Sequence, residues 1–294
     1  MFVNAIELAD RFTRPMHTIS RNFASVTPVP GAATLFFVNA DGWVLTCAHV
    51  ARVIMAGDVV KATYDGYRTK RSAIISAGGS EVHLASLDQE YGYNSYSMIE
   101  LYNSFVNCVD GQLDMDIHVH PSADVALIKF KNYTRLLSDS FPVFAADGSQ
   151  LKQGKSICRL GFPFPEFRNF EYDAAADQIK WNADPRNATP RFPIDGMVTR
   201  LLNDAEGSTV GFELSTPGLK GQSGGPAFDT DGRIWGMQSA TGHLYLDFDV
   251  DVEVMRPGGP KRIQNSAFLH VGYCVHVDIL KDFMRSLGVA FQES

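Results

Sequence analysis

No stretch of this chain approaches the roughly 20 consecutive apolar residues that a membrane-spanning helix requires. Its amino terminus, MFVNAIELADRFTRPMHTIS, has neither the basic start nor the continuous apolar core of a secretory signal. A cytoplasmic protein without a membrane partner is therefore expected. Basic runs are also missing. With a formal net charge of −7 and a pI near 5.6, nothing draws the chain to phosphate backbones or anionic lipid, so nucleic acid is not an expected partner. Cysteine is scarce: Cys47, Cys108, Cys158 and Cys274 show no CxxC spacing. They read as reduced, buried small hydrophobes, with disulfides the lesser reading. Internal repeats and low-complexity tracts are absent.

What is present is apolar material: 45% of the 294 residues are hydrophobic, enough for a sizeable core. Short apolar runs punctuated by Gly, Pro and Asp-Gly dominate. TLFFVN, Asp41-Gly42 and WVLTCAHV form a hairpin signal. Further strand-like runs fall at 125–130, 156–162, 197–202, 209–215, 233–239 and 268–277. Many short strands without helical patterns between them indicate an all-β barrel or sandwich. One helix is expected, over 278–288, with Asp278 as N-cap, Ile279, Leu280, Phe283, Met284 and Leu287 as its apolar stripe, and Gly288 as its stop. Residues 84–112 and 163–195 resist strand assignment and read as long loops, the usual place for lids and binding segments.

A serine in the glycine-rich turn Gly221-Gln222-Ser223-Gly224-Gly225-Pro226 carries the strongest chemical signal. A hydroxyl becomes a useful nucleophile only when a neighbouring base takes its proton, and acyl transfer needs N–H donors aimed at the oxyanion. Glycine at 221 lets its own N–H and that of Ser223 converge on one spot. Alone, the turn fits an ordinary loop equally well. His49, in Thr46-Cys47-Ala48-His49-Val50, ends an apolar strand just before a helical turn, and imidazole suits the task of taking and returning a proton near neutrality. Asp124 opens the apolar strand VALIKF and is placed to orient that imidazole. Asp114 and Asp116 compete for the role but lie in an alternating run that reads as a solvated face.

These stretches, GAATLFFVNADGWVLTCAHV, ADVALIKF, GLKGQSGGPAFDTDGRIWGMQS and VGYCVHVDILKDFM, resemble the trypsin-like peptidases, and within them the HtrA/Deg-type proteases. The resemblance implies a chymotrypsin-like fold of two perpendicular six-stranded β-barrels with a C-terminal α-helix. The first barrel would span 1–140 and carry His49 and Asp124, with an insertion at about 84–112; the second would span 141–294 and carry Ser223. It implies a serine endopeptidase with His49, Asp124 and Ser223 as catalytic residues, Gly221 and Ser223 as the oxyanion hole, and a polypeptide substrate. No metal or organic cofactor is implied. Gln222 stands where digestive members carry the aspartate that receives a cleaved amino terminus, so that mode of activation is not expected. The PDZ domain usual in HtrA/Deg proteins is not expected either. A protease-fold peptide-binding module, or a protease silent until a regulatory protein orders 84–112 or 163–195, remain alternatives.

By the same resemblance the specificity pocket is walled by Thr216, Pro217, Gly218 and Leu219 on one side and Gln238, Ser239 and Ala240 on the other. Pro217 stands where trypsin holds a carboxylate, so a small or medium uncharged P1 side chain is expected. The edge of Met237–Thr241 is expected to pair with extended substrate. Two acidic sets complete the reading. Asp247, Asp249, Asp251 and Glu253 share one face of a strand, as a charged edge or a site for basic substrates or a cation. Asp114, Asp116, His118 and His120 share another, as a solvated face or a metal set.

Overall fold

The apolar, β-branched and aromatic runs do form strands, and these fall into two main sheets. The computed structural model describes residues 1–182 and 189–294. From the amino terminus the chain runs through α1 (Val3–Asp10), β1 (Thr13–Asn22), β2 (Val29–Phe37), β3 (Trp43–Thr46), α2 (Ala48–Ser76) and α3 (Glu81–Glu90). It continues through β4 (Met98–Phe105), β5 (Val109–Asp110), β6 (Asp114–Val119), β7 (Ala126–Lys131) and β8 (Arg135–Leu136). After these come β9 (Val143–Phe144), β10 (Ser156–Gly161), β11 (Phe170–Asp173), β12 (Gln178–Trp181), β13 (Phe192–Asn203), β14 (Thr209–Leu214) and β15 (Pro226–Phe228). The last elements are β16 (Arg233–Arg256), β17 (Gly259–His276), α4 (Val277–Ser286) and β18 (Gln292–Glu293).

The first sheet has six strands in the order β4-β1-β2-β3-β7-β6. The Asp41-Gly42 turn joins β2 to β3, with Phe36 opposite Leu45 and Phe37 opposite Val44. The second sheet contains the ring β15-β10-β13-β14-β17-β16, closed by the pairing of β15 with β16, and β9 and β18 add to it as short parallel strands. Its six-stranded barrel is thus as expected, but the whole sheet counts eight strands. The fold is chymotrypsin-like, and one apolar core joins Leu35, Phe37 and Val44 of the first sheet to Phe212, Phe228 and Met237 of the second.

The expected loop at 84–112 is not a loop. Its first part completes a helical insertion that starts at Ala48, and its second part is β4, an edge strand paired with β1 from Met16 opposite Phe105 to Asn22 opposite Met98. α2 was legible only as a turn because its 29 residues bury just six, Ala48, Val50, Ala51, Gly57, Tyr64 and Tyr67, and carry no apolar stripe. Gly57 marks where the helix meets β4: a Cβ there would stand 3.2 Å from Leu101 O. Tyr64, Tyr67, Leu87 and Ile99 form a small core of their own, flanked by Phe23, Tyr91 and Tyr93. This accounts for Tyr91 and Tyr93 of the segment, whereas Tyr96 is exposed. Of the 163–195 stretch, residues 183–188 lie outside the described residues; the rest contains the β11–β12 hairpin and the start of β13.

β16 and β17 extend past the barrel as one hairpin, pairing out to Arg256 opposite Gly259. The expected alternation of Asp247, Asp249, Asp251 and Glu253 breaks at a bulge between Tyr245 and Asp249, where Asp247 has φ +56°. Asp251 pairs with Arg262 at 2.6 Å across the hairpin, a charged surface strand rather than a cation site. On β6, Asp116 pairs with Lys131 and Asp114 accepts from Asn132. The closing helix starts one residue early: His276, not Asp278, is its N-cap, accepting the Asp278 N–H at 3.3 Å. Gly288, at φ +68°, follows its end. All four cysteines are free and buried. No described helix is long and apolar enough to cross a membrane.

The insertion is tied to the sheet by a buried charge. Arg21 on β1 is 3% exposed and binds Glu100 on β4, itself buried, while its other nitrogens reach Asp177 Oδ1 at 2.9 Å and the Ser25 and Asp177 carbonyls. Asp177 also accepts from Tyr64 of α2 at 2.7 Å. Arg21→Met is expected to cost roughly 3–5 kcal/mol in urea unfolding, because Glu100, though still bonded by Tyr102 and the Ile179 N–H, is left buried without its counter-charge. Asp177→Asn, at a position 45% exposed, is expected to cost about 1 kcal/mol or less.

Candidate active site

β3 ends at Thr46 and α2 begins at Ala48, so His49 stands in the first turn of the helix. Asp124 sits in the loop before β7. His120 shapes that loop: its Nδ1 accepts the N–H groups of Ser122 (3.2 Å) and Ala123 (2.9 Å), a local role that accounts for it without a metal. Histidine and carboxylate meet directly. His49 Nδ1 lies 2.9 Å from Asp124 Oδ2, and the His49 backbone N–H donates to Oδ1 at 3.0 Å. With Nδ1 as donor, Nε2 keeps its lone pair. Ser239 Oγ also donates to Asp124 Oδ2, at 2.5 Å. Burial by itself would raise the Asp124 pKa; the hydrogen bonds from the His49 ring, Ser239 and the His49 N–H outweigh it and hold the carboxyl well below the usual range.

The turn around Ser223 is built on two glycines in the left-handed region, Gly221 at φ +99° and Gly224 at φ +88°. A side chain at 221 would meet Phe162 O at 2.7 Å, and one at 224 would land on Thr34 O and Thr46 Oγ1. The N–H groups of Gln222, Gly224 and Gly225 are taken by the Leu219, Gln238 and Gln222 carbonyls. Among the described residues, those of Gly221 and Ser223 have no protein acceptor. Gln222 is buried and braces the turn, its Oε1 accepting from Leu219 N at 3.0 Å and its Nε2 donating to Phe192 O at 2.9 Å.

Ser223 Oγ donates to Ser239 O at 3.1 Å and is not hydrogen-bonded to His49. Ser239 therefore touches both ends of the expected constellation, the serine through its carbonyl and the aspartate through its hydroxyl. Thr34, fully buried on β2, makes the other link. Its N–H donates to Ser223 O (3.0 Å), its Oγ1 donates to Gly221 O (2.7 Å) and accepts from Phe162 N (3.1 Å), and its carbonyl accepts from Thr46 Oγ1 (2.8 Å). The two expected pocket walls also face each other: Thr241 Oγ1 donates to Gly218 O at 2.7 Å.

Sequence reasoning missed Thr34, whose only signal was a hydroxyl in an otherwise apolar strand. It missed the link that Ser239 makes to Asp124 and the buried Arg159 that bonds Thr216, Pro217 and Gln238. One set with metal-ligand geometry exists among the described residues, Cys47, His49 and Asp124. Cys47 does not suit it: burial, then the nearby Asp124 charge, push its thiol pKa well up, and its Sγ lies 3.2 Å from Gln238 O, whereas ligation needs a thiolate.

The model of the trypsin-like peptidase domain matches residues 33–237, more than half of the chain and the whole span from Thr34 to Met237. The chain belongs to the trypsin-like peptidase family. Family membership implies a protease mechanism. A search of curated proteins finds no match. Among solved structures, the HtrA-type protease AlgW with a decapeptide aligns at a TM-score of 0.50 and 12% identity, covering 98% of this chain and 67% of that one. AlgW with a tripeptide aligns at 0.49 and 11%, covering 98% and 63%. At such identities the likeness is one of fold, and this peptidase domain spans about two thirds of the AlgW chain.

Two outcomes follow from this geometry. Thr34→Val keeps the shape but strands Gly221 O and Phe162 N, an expected loss of roughly 2–4 kcal/mol in urea unfolding. Asp124, with its folded pKa depressed, stabilises the fold in full above the ordinary carboxylate pKa of about 3.9 and loses that contribution as pH falls through the folded value. The stability gap between the parent and Asp124→Asn should therefore be widest near neutrality and shrink between about pH 4 and pH 2.

Proposed function

We propose that the chain is a serine endopeptidase in which Ser223 is the nucleophile, His49 the general base and acid, and Asp124 the group that orients His49. Gly221 and Ser223 supply the oxyanion N–H groups, and the substrate is a polypeptide. The observation that carries this reading is that Ser239 joins Ser223, through its carbonyl, to the carboxylate that holds His49, through its hydroxyl, at a glycine turn whose N–H groups at 221 and 223 have no protein acceptor among the described residues.

In this reading the Ser223 hydroxyl leaves Ser239 O by rotation about χ1 and gives its proton to His49 Nε2 as Oγ attacks the scissile carbonyl. The oxyanion is received by the two N–H groups. His49 then protonates the leaving amine, and water hydrolyses the acyl-enzyme by the same steps in reverse order of roles. Extended peptide lies along Ser239–Thr241 only, not the whole of the expected Met237–Thr241 edge, because Met237 and Gln238 already pair with Pro226, Gly224 and Gly225; a peptide is the class of ligand present in the AlgW decapeptide structure.

A second reading, a peptidase silent until a partner engages it, has one observation in its favour. α2 carries His49 at its start and, further along, Tyr64 and Arg68 grip the β11–β12 turn through Asp177 and Ala176 O. That hairpin follows Phe162 and Pro163, the residues packed on Gly221. A load on the insertion is thereby connected to both halves of the site.

Fluorophosphonate labelling read by intact mass tests the first reading. Stoichiometric modification of the parent, lost in Ser223→Ala, is the expected result, and Asp124→Asn should lower kcat/KM on a peptide substrate about 10⁴-fold. Folded protein that takes no label would sink the first reading and leave the second.

A further inference from the structure

Arg159 on β10 is the largest side chain wholly withdrawn from solvent among the described residues. Among the described residues no carboxylate stands within ion-pair distance of it, and Asp195, whose charge also reaches it, is exposed. Every bond it makes goes to the walls assigned to the primary specificity pocket. Nη1 donates to Gln238 Oε1 at 2.7 Å. Nη2 donates to Thr216 Oγ1 at 2.7 Å, Thr216 O at 3.1 Å and Pro217 O at 3.2 Å. Nε is buried and has no partner. On the β17 side a Cβ at Gly272 would land on Nη1, so the guanidinium occupies the space a longer residue there would fill.

This placement decides what the pocket presents. Because the Gln238 oxygen is committed to Arg159, its amide nitrogen points the other way, bonding Ala240 O at 2.7 Å and standing where a Gly218 side chain would lie. The Thr241 hydroxyl spans the same slot to Gly218 O. Where the two walls meet stand an N–H donor and a hydroxyl, each bonded to a backbone carbonyl, and behind them a full positive charge solvated only by neutral oxygens. A buried charge in that state is poorly compensated, and a carboxylate is the group that compensates it best.

We infer that the primary pocket selects an acidic P1 residue, glutamate or aspartate, rather than the small or medium uncharged side chain expected from Pro217 alone. The charge is not at the position where trypsin holds one; it enters from β10, 57 positions before Thr216 in the chain. An entering carboxylate takes the Gln238 N–H from Ala240 O and the Thr241 hydroxyl from Gly218 O, two exchanges that move no proton between groups, and Arg159 stays behind Gln238 to hold its amide in the donating orientation. The inference rests on Ser223 being the nucleophile and deepens that reading.

The test compares matched peptides with Glu, Gln, Ala or Lys at P1, supplemented by cleavage-site mapping in a peptide library. Glu is expected to exceed its isostere Gln by about 10- to 100-fold in kcat/KM, the range of one or two hydrogen bonds to a charged group. Arg159→Met, with its fold checked by near-UV circular dichroism, should erase that ratio, and Arg159→Lys should restore part of it. Should neither variant fold, the Glu-to-Gln ratio of the parent decides alone. Equal rates for Glu and Gln, or a preference for Ala, would overturn the inference while leaving the nucleophile intact. If fluorophosphonate fails to label Ser223, the peptidase reading has failed separately; binding of the same peptides to Ser223→Ala protein, tighter for Glu than for Gln or not, then settles the pocket.

Discussion

Everything at the candidate site depends on one seam, where β2 of the first sheet is hydrogen-bonded to a turn of the second. Thr34 uses its N–H, hydroxyl and carbonyl there, on Ser223, Gly221, Phe162 and Thr46. Neither sheet holds the candidate residues alone: His49 and Asp124 belong to the first, Ser223 to the second. A buried threonine whose polar atoms are all paired is worth more than its own bonds, because it sets the relative position of two sheets to within hydrogen-bond tolerance. Ser239 repeats the device from the other side, accepting from Ser223 and donating to Asp124.

Two charges near this seam, one half-buried and one wholly buried, are treated in opposite ways. Asp124 is surrounded by donors that outweigh its burial, so it stays ionised and can steady a developing imidazolium. Arg159 is surrounded by neutral acceptors, with no carboxylate beside it among the described residues, and burial lowers its pKa. A satisfied anion suits a fixed structural duty, whereas an under-compensated cation suits a site that a ligand completes. A third case, Arg21 with Glu100, is a closed pair and serves to anchor the insertion.

That insertion gives the first sheet a small second core. α2, α3 and β4 meet through tyrosines, which pack their rings against one another and keep their hydroxyls for Asp88 and Asp177. The arrangement lets a polar, stripeless segment fold, since aromatic faces supply the apolar area while hydroxyl groups stay bonded. It also joins the helix that begins at His49 to the hairpin that follows Phe162.

The division into two barrels came only from the family resemblance that the short motifs carry, but the β-rich character of the chain and the candidate residues His49, Asp124, Gly221 and Ser223 were legible in the sequence itself, because glycine turns, short apolar runs and short motifs are local. The same holds for the closing helix, whose apolar stripe is local, though its cap lay one step further back, at His276. What only the tertiary structure decided are the features made by residues far apart: the 29-residue α2, stable through packing on β4 rather than through its own pattern; the service of Thr34 and Ser239 at the seam; and the arrival of Arg159 against Thr216, Pro217 and Gln238. In each case the deciding contact closes a long loop of chain, and no periodicity or spacing encodes which distant side chain will fill the space.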